Sequence, residues 1–417
     1  MGQTISEKIL SARSGRDVYQ GELTVVNVDC IMATDTTAPY AIKAFREMVG
    51  TSGKKVWNPA RFPLVIDHAA PAPTEKISNL HVMMREFAAE QGCPLFDVGA
   101  GICHQIMVEE QFVKPGDLFV GADSHTCTYG GLGAFATGVG STDLAAVMLT
   151  GKIWLKVPQT VKIEYTGRLQ KGVTAKDLIL FTTGQLSISG ATYQAIEFCG
   201  SALHPLSLSS RMTIANMSAE MGAKTGIVHP NGLKLEFGLD YDFTPIFPDA
   251  DAEYAKHYTF DVSSLRPQVA VPNSPDNVQE ISVVEGTKIQ YAFIGSCVNA
   301  RLEDLREAAQ ILRGRHIHPN VRLLITPASK NVFLAAMNDG TMQTLMEAGA
   351  TFTNAACGVC VGAHLGVPGD GETVISTANR NFKGRMGNPN ARIYLGSAAV
   401  VAASALKGVI TDPAEFL

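Results

Sequence analysis

The chain has 417 residues, 46% of them apolar, enough to bury a large core and to divide into two or three domains. A net charge of −5 and a pI near 6.1 argue against a general nucleic-acid binder. Eight cysteines spread over this length are not a secreted disulfide framework, and no apolar leader follows Met1, so a reducing, cytoplasmic setting is expected. The softest stretch, Ile393 to Leu406, falls short of the roughly 20 apolar residues that span a bilayer.

In chain order, Thr4 with Glu7 forms a capping box and predicts a helix through Ile9 and Leu10. An apolar run follows, Leu23 to Val28. Asp35, Thr36 and Thr37 then precede Ala41, Ile42, Phe45 and Val49 at helical spacing. They read as a helix N-cap, with a polar loop facing a ligand as the rival. Phe62 to Ile66 is a short buried strand with Asp67 and His68 at its C-terminal end, the edge where α/β sheets bind ligands. A carboxylate beside an imidazole there can serve as an acid–base pair. A helix over Glu75 to Gln91 and a strand near Leu95 to Val98 come next. Gly99 to Gln105 is a glycine turn opening another helix, and His104 sits in its first turn, where the dipole favours the neutral ring. The strand Leu118 to Gly121 ends in a second carboxylate–histidine pair, Asp123 and His125 around Ser124, followed by Gly130, Gly131 and Gly133. Either pair alone fits a satisfied loop hydrogen bond; two such strand ends in one chain favour a shared purpose.

Thr142 to Trp154 is predicted helical, and Val157-Pro158 marks a boundary. The strand Val161 to Tyr165 opens a second domain. In Arg211 to Gly222, Asn216 and Glu220 fall on one helix face at i, i+4, among apolar and small neighbours that favour a buried carboxylate. Residues 240–280 are rich in Asp, Pro and Ser and read as a long surface loop and second boundary. The expected domains are 1–157, 158–275 and 276–417. In the third, strands Ile289 to Ile294, Val321 to Ile325 and Thr373 to Ile375 alternate with helices Leu302 to Leu312, Asn331 to Asn338 and Ser397 to Leu406. The fold class is α/β.

Cysteines concentrate the chemistry of that third domain. Cys297 lies in Gly295-Ser296-Cys297-Val298-Asn299, and Cys357 and Cys360 form a C-x-x-C pair. Thiolates at close spacing suit a soft metal or an iron–sulfur cluster. The pair alone also fits a redox dithiol or half a zinc site. Cys297 alone also fits a buried apolar residue. Three ligands, not four, would leave an iron with open positions, able to act as a Lewis acid. Asn379-Arg380-Asn381-Phe382-Lys383-Gly384-Arg385 sets two guanidiniums close together. A carboxylate substrate needs that arrangement; a zinc knuckle or dithiol does not.

Together these motifs, with Asp123-Ser124-His125-Thr126, resemble the aconitase superfamily from Ile5 to the C-terminus. The chain stops after its third domain, so the resemblance is to the large subunit of the two-subunit branch of 3-isopropylmalate dehydratase, homoaconitase and 2,3-dimethylmalate dehydratase. That likeness implies three α/β/α domains around a central iron–sulfur cluster, with the family's swivel domain absent. It implies one [4Fe–4S] cluster on Cys297, Cys357 and Cys360 with one open iron, and reversible dehydration of a 2-hydroxy dicarboxylate, 3-isopropylmalate first, in leucine biosynthesis. By the same likeness Asp67 and His68 protonate the leaving hydroxyl, His104 partners Asp123, and His125 partners Glu220. Arg380 and Arg385 clamp substrate carboxylates, Asn379 lies near the cluster, and Asp35, Thr36, Ser124 and Asn216 belong to the substrate-binding set. The family's serine base lies on the swivel domain, so a small subunit is expected to supply it. No membrane or nucleic-acid partner is expected; a cluster-dependent RNA-binding regulator and a zinc scaffold are the readings from other classes.

Overall fold

The computed structural model describes residues 2–240 and 242–417. The chain forms two compact units, one of Met1–Asp97, Ile106–Thr166 and Ser189–Asp261, the other of Val98–Gln105, Gly167–Ile188 and Val262–Leu417. No helix among the described residues is long and apolar enough to cross a membrane.

The first unit opens with the helix Ile5–Ser14. Both arms of its capping box are present: the Glu7 amide donates to Thr4 Oγ1 at 3.3 Å and the Thr4 amide to Glu7 Oε2 at 2.8 Å. Its strands run β1 (Leu23–Asn27), β2 (Cys30–Thr34), β3 (Leu64–Val65), β4 (Leu95–Phe96), β5 (Leu118–Gly121) and β6 (Phe135–Gly138). They continue as β7 (Lys152–Lys156), β8 (Thr160–Thr166), β9 (Ala195–Cys199), β10 (Thr225–Val228) and β11 (Lys256–Asp261). One sheet is parallel throughout, in the order β4-β3-β2-β5-β6. Every residue of β2 and β5 is buried, as a parallel strand covered on both faces requires. A second parallel sheet has the order β10-β9-β8-β11, and β1 pairs with β7 as an antiparallel ribbon. The second unit contributes β12 (Gln268–Ala270), β13 (Val278–Glu280), β14 (Tyr291–Ile294), β15 (Arg322–Ile325), β16 (Thr351–Phe352), β17 (Thr373–Ser376) and β18 (Arg392–Leu395). These form the sheet β13-β12-β18-β17-β14-β15-β16, in which β12 pairs antiparallel with both β13 and β18 and the remaining pairs are parallel.

In all three large sheets the earliest strand of the parallel set lies inside, the next two lie on one side of it, and the later ones on the other. Where strand order reverses, the loops at the C-terminal edge part and leave a crevice. In the first sheet this falls beside β2, and in the third beside β14.

Three expected elements differ. The predicted helix Thr142 to Trp154 is the helix Ser141–Thr150 followed by β7. Gly151, left-handed at φ 67°, ends the helix, and Lys152 to Lys156 then alternate at the two-residue period of a strand. The helix carrying Asn216 and Glu220 stops at Asn216, and Met217–Met221 is a tighter 3-10 turn closed by Gly222 at φ 77°. The two residues therefore do not share a regular helix face, though both are buried. Residues 240–280 are more than a loop: β11, β12 and β13 lie within them. Their prolines punctuate short strands without abolishing them.

Close backbone approach fixes the turn after β5. Residues Ser124–Leu132 form a 3-10 helix against the helix Leu208–Asn216. A Cβ on Gly131 would lie 2.6 Å from the amide nitrogen of Met212, and one on Gly130 would overlap the carbonyl oxygen of Gly226. Gly130→Ala should therefore force backbones apart and cost about 1–3 kcal/mol. A urea unfolding midpoint equal to wild type would show that this contact is looser than described.

Candidate active site

Three loops leave the C-terminal ends of β2, β3 and β5, adjacent parallel strands, and their acidic and imidazole side chains meet. Asp35 follows β2 and is 3% exposed. Its Oδ1 accepts the backbone N–H of Asp67 at 3.1 Å and of His68 at 2.8 Å; its Oδ2 accepts that of Ala69 at 2.8 Å. His81 Nε2 lies 3.3 Å from the same Oδ2. Burial works to raise the Asp35 pKa, but the His81 hydrogen bond, the His68 charge and the amides outweigh it and hold it at about 2. The predicted N-cap role is therefore not what Asp35 does. Helix Ala38–Val49 begins after Thr37 without a side-chain cap, and the carboxylate pins the loop that carries Asp67 and His68.

His68 is gripped from both sides. Its Nδ1 lies 2.8 Å from Asp67 Oδ1 and its Nε2 3.5 Å from Asp123 Oδ2. Burial pulls its pKa down, yet the carboxylates of Asp67 and Asp123 prevail and hold it well above the ordinary imidazole value. Asp123 also caps the following turn, accepting the His125 amide at 2.7 Å, and its Oδ1 lies 3.7 Å from His125 Nδ1. His125 Nε2 in turn lies 2.8 Å from Glu220 Oε1. The two pairs read separately in the sequence thus join one alternating run, Asp67–His68–Asp123–His125–Glu220. Asn216 is fully buried and donates to Thr128 Oγ1 at 2.8 Å, bracing that turn. Thr36 and Ser124 are exposed nearby in the chain, and Thr36 Oγ1 lies 3.0 Å from Thr34 Oγ1.

Asp35, Asp67 and His68 bring potential ligand atoms within 4.8 Å of one another. The Asp35 oxygens are already committed to N–H groups, and a His68 held in its protonated form has no lone pair for a metal. This cluster is suited to moving protons.

The second unit holds the thiols. Cys297, three residues past β14, is 5% exposed; Cys357, just before the 3-10 turn Gly358–Val361, and Cys360, within it, are 3% and 1% exposed. One amide joins two of them: Asn379 Nδ2 donates to Cys297 Sγ at 3.3 Å, and its Oδ1 accepts from Cys360 Sγ at 3.5 Å. Arg385 Nη2 donates to Cys360 Sγ at 3.5 Å. Arg380 and Arg385 are half-buried, and His104 is buried in the first turn of helix Cys103–Glu109. An all-sulfur donor set with N–H groups aimed at sulfur fits an iron–sulfur cluster. Elsewhere burial pushes the thiols of Cys30, Cys93 and Cys127 up to about 12 and that of Cys199 to about 11, which keeps them protonated and poor ligands.

Sequence reasoning missed His81. It shares the buried face of helix Glu75–Gln91 with Met84 and Ala88, and a histidine on that apolar stripe was the available signal. Arg301, four residues after Cys297, was also missed.

A model of the aconitase family (aconitate hydratase) matches residues 7–287 and 279–408. The chain is 48% identical over 421 residues to the 3-isopropylmalate dehydratase large subunit 1 of Methanopyrus kandleri, covering 100% of each. It is 47% identical over 417 residues to the homoaconitase large subunit of Thermus thermophilus, covering 100% of this chain and 98% of that one. The crystal structure of the aconitase X of Thermococcus kodakaraensis in its holo-form matches with a TM-score of 0.53 at 14% identity, over 91% of this chain and 94% of that one, a likeness of fold.

The raised His68 pKa has a sign in stability. The folded state binds its proton more tightly, so its contribution is complete below an unfolded imidazole's value of about 6.5 and fades as pH rises through the folded value. The urea midpoint gap between wild type and His68→Gln should be larger at about pH 6 than in alkaline buffer. Equal gaps would mean that the ring is neutral when folded.

Proposed function

The chain belongs to the aconitase family, and we propose that it is the large subunit of a hydro-lyase that reversibly dehydrates a 2-hydroxy dicarboxylate, with 3-isopropylmalate as the lead substrate. The observation that carries this reading is His68, held between Asp67 and Asp123 and kept protonated near neutral pH. Loss of hydroxide from an unactivated carbon needs an acid at the leaving oxygen, and an imidazolium that can be reprotonated along a carboxylate run is suited to that task. Asp67 and Asp123 orient the ring. Glu220 and His125 extend the run and can exchange its proton with solvent or with the returning water.

Cys297, Cys357 and Cys360 would hold a [4Fe–4S] cluster with one open iron. When bound, it supplies a Lewis acid for the substrate hydroxyl. Arg380 and Arg385 would bind substrate carboxylates, since a guanidinium offers two parallel N–H groups that an ammonium cannot. His104 joins this set as a proton-handling group, and Asp35, Thr36, Ser124, Asn216 and Asn379 as its binding and bracing residues. The carbon-bound proton requires a base within hydrogen-bond reach. Relatives named as large subunits support a small partner subunit as its source. The similar identity to a homoaconitase large subunit gives that substrate class as the second reading.

Anaerobic reconstitution should yield iron with labile sulfide in the wild type and in Cys127→Ser, but not in Cys360→Ser. Full loading of Cys360→Ser would sink the ligand set. Arg385→Lys should keep the cluster and lose activity roughly ten- to a hundredfold, the loss of one charge-assisted hydrogen bond of about 1.5–3 kcal/mol. The decisive assay is hydration and dehydration of several 2-hydroxyacids by the loaded chain, alone and titrated with a candidate small subunit. Turnover should need the partner; robust turnover by the chain alone would place the base on it and end the two-subunit reading.

A further inference from the structure

Two buried cations hold the loops that carry Cys297 and Asn379, and the chemistry above uses neither. Arg301 is 1% exposed and heads the helix Leu302–Leu312. Its Nη2 donates to the carbonyl of Cys297 at 2.8 Å, its Nη1 to that of Val298 at 3.0 Å, and its Nε to Gln105 Oε1 at 3.0 Å. The loop so gripped is one that the backbone would not adopt unaided. Ser296 and Ala300, on either side of Cys297, both lie in the left-handed region at φ 77°. Lys176 is also 1% exposed, and its Nζ donates to the carbonyls of Thr377 and Ala378, both at 2.8 Å. The next residue is Asn379, whose amide touches Cys297 and Cys360. Thr377 ties the two loops together: its Oγ1 accepts the Gly295 amide at 2.9 Å and donates to the Gly295 carbonyl at 3.0 Å.

We propose that Arg301 and Lys176 are the positioning residues of an iron–sulfur site, fixing the backbone under Cys297 and Asn379 and offsetting with two positive charges the negative charge that three thiolates bring into the interior. The inference rests on the proposed cluster. Donors spent on backbone carbonyls leave the cationic charge undiminished, and in a low-dielectric interior that charge acts over several ångströms. Three buried acids lie close by: burial raises the carboxyl of Asp304, that of Asp177 to about 6 and that of Glu307 to about 8, which reduces the negative charge set against the two cations without removing it. Cations beside a cluster favour its more negative, reduced form, so their loss should make its reduction potential more negative. Groups that orient metal ligands from behind typically contribute about ten- to a hundredfold in metal affinity.

The test uses the full chain, reconstituted anaerobically, as wild type, Lys176→Met, Arg301→Met and Arg301→Lys. Its readouts are the cluster midpoint potential, followed by electron paramagnetic resonance, and the rate of iron release to a chelator. Both methionine variants should show more negative potentials and release iron about ten- to a hundredfold faster. Arg301→Lys keeps the charge but not the fork, so it should hold its potential and still release iron faster. Faster release at an unmoved potential in the methionine variants would reduce the pair to structural props and overturn the proposal, as would no change in either readout. Where a methionine variant does not fold, the alkylation rate of Cys297 in iron-free Arg301→Lys decides: it should exceed wild type, and an equal rate overturns the positioning role. A wild type that takes up no iron and sulfide overturns the proposed function itself, whereas a loaded wild type with unmoved variants overturns only this inference.

Discussion

A carboxylate shut away from water must be met by N–H groups, and Asp35 is met by four: three consecutive backbone amides and the imidazole of His81. Left unpaired, a buried ion of this kind would cost several kcal/mol. Satisfied, it turns the loop after β3 into a rigid bracket. The amides it binds belong to Asp67, His68 and Ala69, so the carboxylate settles the direction in which the Asp67 and His68 side chains leave the backbone. The grip of Asp67 and Asp123 on the His68 ring, and the run through His125 to Glu220, depend on that bracket. A buried negative charge thus orients the ring whose own carboxylate partners, Asp67 and Asp123, raise its pKa.

The sheets explain why the site residues cluster. In the first, β2 lies between β3 and β5, and the loops after these three strands carry Asp35, Asp67 with His68, and Asp123 with His125. In the third, β14 lies between β15 and β17, and the loops after β14, β16 and β17 carry Cys297, Cys357 with Cys360, and Asn379 with Arg380. Each set sits at the C-terminal edge where strand order reverses. One set holds oxygen and nitrogen groups suited to moving protons, and the other sulfur groups that suit iron.

Much of this was legible in the sequence because local signals agreed with one another. The helix Glu75–Gln91 lies where its apolar spacing puts it, since Thr74 caps one end and Gly92 closes the other. The three thiols and both carboxylate–histidine pairs were visible as motifs. What escaped was long-range or ambiguous. Asp35 looks like a helix cap because its neighbours are threonines before an apolar run; its true partners lie 32 to 46 positions away. The stretch Thr142 to Trp154 has enough apolar residues for a helix of either length, and only the glycine at 151 marks the change of period. Asn216 and Glu220 are spaced for one face, but Ser218 Oγ donates to the Ala215 carbonyl at 2.6 Å and the turn tightens there. Arg301 reads as an ordinary solvated arginine until the fold buries it.

The repeated winding has a consequence for how the molecule comes into being. In every large sheet the inner strand is the first of the parallel set to emerge from the ribosome, and each later parallel strand can add to an edge that already exists. Growth from the middle outward lets no nascent strand wait long for a neighbour, which limits the time an unpaired edge stands open to other chains. A synthesis pause between the parts encoding two sheets would therefore interrupt assembly at a finished layer instead of within one.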